Sequence, residues 1–152
     1  MDRWTGSCLC GDVKLAASGS PYRVGICHCL DCRKHHGALF HASAIFPADA
    51  VTISGETRAY AGRHFCPCCG SPVFGRSTGE IEVNLGSLDA ADRLVPTDEL
   101  WTILRQSWLL VFPLSRRYER DRAGPGRFEG EARADGAGTM GADGRGSLAR
   151  RR

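Results

Sequence analysis

The sequence has no apolar run long enough to span a bilayer. Its longest apolar stretch, Trp108 to Phe112, stops at Pro113, whereas a helical span needs roughly 18 or more apolar residues. A secretory leader is not expected either, because MDRWTGSCLCGD has two acids in its first dozen residues and no apolar centre. We therefore expect a cytoplasmic protein with no membrane partner. Lysine is nearly absent: Lys14 and Lys34 stand against 18 arginines. We read this as a bias of composition rather than a basic surface, because the formal net charge is only +3. Such a charge gives no reason to expect nucleic acid. There is no phosphate-binding glycine loop, no dinucleotide fingerprint and no nucleophile elbow. No internal repeat is visible, and helix-period patterns are scarce. No cysteine follows residue 69.

The eight cysteines present are Cys8, Cys10, Cys27, Cys29, Cys32, Cys66, Cys68 and Cys69. A disulfide framework needs an oxidising compartment, and nothing points to one. Thiols clustered at this spacing in a reducing compartment bind metal, zinc above all. The run Cys66-Pro67-Cys68-Cys69-Gly70 contains a C-x-x-C-G knuckle, whose glycine tolerates the positive φ that turns N–H groups toward sulfur. Such a knuckle supplies two ligands and needs two more. Cys8 and Cys10 have the same need, and joining the pairs makes a closed four-cysteine site. Cys27, Cys29 and Cys32 then remain, three ligands at C-x-C-x-x-C spacing with a fourth corner open to water, thiol or substrate. Three protein ligands and an exchangeable position are the pattern of a catalytic zinc. Cys68 is either a free thiol or the group that closes this second site.

With 152 residues, 42% of them hydrophobic, the chain is one domain's worth. We expect a domain over residues 1–120. The segment 121–152, with eight glycines and few sizeable apolar groups, is expected to be a disordered Gly/Arg-rich tail. Within the domain the alternation is of period two. Phe40, Ala42, Ala44 and Phe46 alternate with His41, Ser43 and Ile45; Ile81, Val83 and Leu85 alternate with Glu82 and Asn84; Val51 and Ile53 precede a Ser54-Gly55 turn. The expected fold is mainly β, several small antiparallel sheets organised around zinc knuckles, with little helix. The helical exceptions are Leu30 to His36 and a short segment near Asp89 to Arg93.

Three linked pieces, GSCLCGDV (Gly6 to Val13), CHCLDCRKHHGALF (Cys27 to Phe40) and FCPCCGSPVF (Phe65 to Phe74), closely resemble the glutathione-dependent formaldehyde-activating enzyme family, which includes centromere protein V. Their order and spacing match too. The resemblance covers roughly residues 4–118, and PTDELWTILRQSWLLVFP (Pro96 to Pro113) looks like the family's C-terminal part. It implies a β-tent fold with two zinc ions per chain: a structural one on Cys8, Cys10, Cys66 and Cys69, and a second on Cys27, Cys29 and Cys32. It also implies a carbon–sulfur lyase run in the synthetic direction, joining formaldehyde to glutathione as S-hydroxymethylglutathione. The partners would be a small thiol and a small aldehyde or related electrophile. The alternative is a non-catalytic zinc module with a protein or nucleic-acid partner. In the enzyme reading, Arg33 and Lys34 would offset thiolate charge and contact glutathione carboxylates; otherwise they are a solvated surface pair. His35 and His36 are candidate proton shuttles. His28, between two ligands, should point away from the metal. Trp101, Trp108, Tyr60 and Phe74 are read as core, and Asp31 and Glu82 form no recognisable acid/base pair.

Overall fold

The computed structural model describes residues 2–114 and 116–122. The expected tail therefore lies outside the described residues, except for Asp121 and Arg122. In chain order the elements are β1 (Arg3–Ser7), β2 (Lys14–Ser18), β3 (Arg23–Cys27), α1 (Leu30–His36), β4 (His41–Pro47), β5 (Val51–Ser54), β6 (Arg58–Tyr60), β7 (Arg63–Phe65), β8 (Pro72–Ser77), β9 (Glu80–Asn84), β10 (Asp98–Leu100) and β11 (Arg116–Arg117). The molecule is mainly β, and α1 matches the helix expected after Cys29. Near Asp89 the chain makes a single 3₁₀ turn, Ala91–Arg93. Among the described residues no helix is long and apolar enough to cross a membrane.

The strands gather into two sheets. Strands β1, β2 and β5 form an antiparallel trio, and the remaining eight run in the order β11-β10-β3-β4-β9-β8-β7-β6. The larger sheet is antiparallel from β3 through to β6, but β10 lies parallel to both β3 and β11. One face of each sheet is apolar, as alternation requires. Trp4, Leu15 and Ala17 from the small sheet meet Ala44, Phe46, Phe74, Ile81 and Val83 from the large one in a single core. The buried Cys8 and Cys66 belong to this core as well. An isolated bridge between Gly6 and Leu88 ties β1 to the segment that follows β9. A Cβ at Gly6 would lie 2.0 Å from the Ser87 carbonyl oxygen, so only glycine lets β1 approach that turn this closely. Gly6→Ala should therefore cost about 3 kcal/mol or more, the upper range for overpacking, read as a loss of thermal stability in a calorimetric melt. A melt within a degree of wild type would show that the bridge yields.

Two aromatic expectations are corrected. Trp101 and Phe74 are buried, but Trp108 and Tyr60 are 68% and 76% exposed. Tyr60 ends the edge strand β6, and Trp108 lies in a turn outside any strand. Neither position has a second layer above it to pack against.

Candidate metal and active site

Two groups of thiols come together, and neither contains a disulfide. The sulfurs of Cys8, Cys10, Cys66 and Cys69 all lie within 4.8 Å of one another. Cys10 Sγ is 3.5 Å from Cys8 Sγ and 3.7 Å from Cys66 Sγ. A tetrahedron with metal–sulfur bonds of about 2.3 Å has an edge of about 3.8 Å, so the donors suit a zinc ion. Two turns build the cluster. In the first, the Cys8 N–H donates to the Val13 carbonyl and the Val13 N–H to Cys8 Sγ. In the second, the Gly70 N–H donates to the Cys66 carbonyl at a Gly70 φ of 76°. The Leu9 N–H reaches the Ser71 hydroxyl and ties the turns together.

The sulfurs of Cys27, Cys29 and Cys32 form the second group, again within 4.8 Å of one another, and among the described residues no fourth Cys, His, Asp or Glu joins them. Cys27 ends β3, Cys29 caps α1, and Cys32 lies in the helix's first turn. The Cys32 N–H donates to Cys29 Sγ at 3.4 Å. Three thiols this close share one negative charge first. The thiol pulled down is Cys29, by hydrogen bonds from Cys27 and Cys32 and by the charge of Arg63. Cys27 is pushed up by its bond to Cys29, and Cys32 by its bonds to Cys27 and Cys29. Such a site favours a bound cation, which would let all three ionise. Cys68 does not approach this trio; its sulfur lies within 4.8 Å of Cys10 Sγ and an Asp12 carboxylate oxygen.

The larger sheet presents a polar face beside the trio. Cys27 pairs directly with His41 across β3 and β4, and directly paired residues project from the same face. The same register places Ser43 opposite Asn84 and Ile45 opposite Glu82. Glu82 accepts a 2.6 Å bond from the Ser43 hydroxyl and lies 3.4 Å from His41 Nε2. Gly75, opposite Glu82, leaves room for that carboxylate. Burial raises the Glu82 pKa, but hydrogen bonds from His41 and Ser43 and the charges of His41 and Arg63 outweigh it and bring the carboxyl down to about 2. Its interaction with His41 therefore persists as pH falls, and is lost only near that value. His36 stacks on His41, with ring centroids 4.0 Å apart and planes 3° apart. Burial first, then the neighbouring His41 and His35, keep His36 neutral, with its pKa pushed down to about 3. His36, His41, Asn84, Ser71, Ser87 and Cys8 all border one cleft of about 390 Å³, a size that suits a small ligand.

The other expected residues are placed as follows. His28 is buried, and its Nε2 pairs at 2.9 Å with Glu99, which also receives Arg117. Its partner Glu99 is thus in β10, beside Ile26 of β3. Arg33 faces the Gln106 side chain, whose oxygen, turned toward it, accepts at 2.8 and 2.9 Å. Lys34 is exposed. His35 meets His36 edge-on, and His64 stacks on Phe74. The cation acting on the trio is Arg63, which also lies 3.9 Å from Asp31. No sequence signal singles out Arg63, because its position depends on the β7–β8–β9 register. The Glu82–His41 pairing has a partial signal in the alternation of β4 and β9. Glu99 has none, since an acid at a strand's centre reads as solvent-facing.

Comparison with known proteins gives two findings. The family described as glutathione-dependent formaldehyde-activating enzyme matches residues 3–103. The chain is also similar to a crystal structure of a Rhodobacter sphaeroides protein, at 21% identity and a TM-score of 0.45, over 57% of this chain and 88% of that one.

Proposed function

Since this chain belongs to the glutathione-dependent formaldehyde-activating enzyme family, we propose that it joins formaldehyde, or a related small electrophile, to the sulfur of glutathione, giving S-hydroxymethylglutathione. The reading is carried by the cysteine trio, three donors without a fourth among the described residues, set beside a polar sheet face. Cys27, Cys29 and Cys32 would hold a zinc ion, which when bound supplies Lewis acidity and lowers the pKa of a coordinated thiol. Cys8, Cys10, Cys66 and Cys69 would hold a second, structural one.

The net reaction moves one proton. A carbon–sulfur bond forms, the carbonyl π bond breaks, and the thiol proton ends on the new hydroxyl. His41, across the strand pair from Cys27, is the residue placed to carry that proton. Glu82 orients His41, and Ser43 orients Glu82. His36, neutral and stacked on His41, keeps the imidazole from turning. Arg63 offsets thiolate charge, while Arg33 and Lys34 on α1 would meet substrate carboxylates.

The test is exchange spectroscopy on formaldehyde and glutathione mixed with the zinc-loaded full chain, because the uncatalysed addition also proceeds. Exchange should accelerate in proportion to protein and more with glutathione than with a simple thiol. Background rates at every protein concentration would overturn the proposal and leave the module reading. Glu82→Gln should lower kcat roughly 10- to 100-fold with zinc content unchanged, the usual scale for losing a group that orients a site residue. An unchanged kcat would remove His41 from the mechanism.

A further inference from the structure

The structure assigns a further metal site to Cys10, Asp12 and Cys68, holding a thiophilic divalent ion such as zinc or cadmium and sharing the Cys10 thiolate with the four-cysteine cluster. One ligand atom from each residue lies within 4.8 Å of the others. All three residues are exposed, so an ion can reach them from solvent. The proposed chemistry at the trio uses none of them.

The three donors are held by fixed backbone. Cys10 and Asp12 flank Gly11 in the first turn, closed by the Gly11 N–H on the Cys8 carbonyl. The Asp12 backbone is pressed against the turn after β5, where a Cβ on Gly55 would sit 2.1 Å from the Asp12 carbonyl oxygen. Cys68 lies within the second turn, between the cluster donors Cys66 and Cys69. The bond from Leu9 to Ser71 fixes one turn against the other. The donors are therefore preorganised, not gathered by chance from mobile loops.

Charge supplies the second reason. Four thiolates around one divalent ion carry a formal −2. The Asp12 carboxylate adds to that excess, and among the described residues Asp12 makes no ion pair. A second divalent ion offsets part of it. The Cys68 proton goes to water as the ion binds. Two thiolates select a soft or borderline ion, and the carboxylate favours zinc or cadmium over monovalent copper. With three protein donors and open solvent, the site exchanges its ion faster than the closed cluster.

The experiment is titration of the full chain with cadmium-113, read by native mass spectrometry and by cadmium NMR. Excess cadmium should add one ion beyond those kept through desalting. Its resonance should show scalar coupling to a four-sulfur cadmium, a coupling that needs a shared thiolate. Cys68→Ser and Asp12→Asn should each lose that ion and the coupling, leaving the other resonances and the thermal melt unchanged. An equal ion count in wild type and both variants overturns the site. An added ion without coupling overturns the sharing of Cys10. Cys29→Ser reports on the trio alone, so failure here is separable from failure of the proposed activity.

Discussion

Cys66→Ser should leave a chain with no cooperative thermal transition. Cys66 is fully buried in the core, and its sulfur lies 3.7 Å from that of Cys10. A structural zinc in small knuckles contributes about 10–16 kcal/mol, as much as the about 5–15 kcal/mol of net stability in a whole domain. Losing one ligand of such an ion removes the margin. Burial alone gives a second reason for damage, because serine would put a hydroxyl among apolar side chains. Cys10→Ser separates the two causes, since Cys10 is exposed. If the metal holds the fold, both variants lose the transition in circular dichroism, and excess chelator reproduces the effect on wild type. A Cys10→Ser protein that melts within a few degrees of wild type would show that packing, not the ion, joins the two turns.

The second large effect concerns chemistry rather than stability. Cys29→Ser should lower the zinc retained after desalting from two ions to one and drop turnover to background, at least about 10³-fold, while the melt stays within a few degrees of wild type. The position allows such a clean separation. Cys29 is the N-cap of α1, and its sulfur already accepts the Cys32 N–H. A serine hydroxyl is a preferred group for that role, so the helix keeps its cap while the soft ligand disappears. Native mass spectrometry and the exchange assay read the two quantities independently. Two retained ions, or turnover above background, would place the reacting centre elsewhere.

Some of this could be read in the chain, for identifiable reasons. Spacing suggests a partition of seven cysteines into four and three, because pairs two or three residues apart can grip one ion but cannot close it alone, and the family resemblance implies which pairs join. The helix Leu30–His36 starts at a capping side chain and stops at Gly37, and β4, β5 and β9 carry clear alternation. The polar face of β4 could be read as alternation but not as a site. His41 and Ser43 look solvent-facing until β9 brings Glu82 and Asn84 alongside them. Arg63 was not legible, because a cation 31 residues from Cys32 reaches the trio only through the pairing of β7 with β8. Glu99 was hidden for the opposite reason: its buried side chain is met by the His28 imidazole and the Arg117 guanidinium, which come from elsewhere in the chain.

The parallel pairing of β3 with β10 also shapes how the chain must be made. Strand β3 finds β4 just after the short helix α1, but its other edge stays open until Asp98–Leu100 has been synthesised some seventy residues later. At about 5–20 residues per second on the ribosome, that edge waits several seconds with its N–H and C=O groups unpaired. An open edge is a template for pairing with another chain, and parallel pairings between distant segments form slowly. The strand carrying Cys27 is thus the one most exposed to misassembly. Slower translation past residue 84, or a crowded refolding mixture, would lower the yield of native protein without altering any contact in the finished fold.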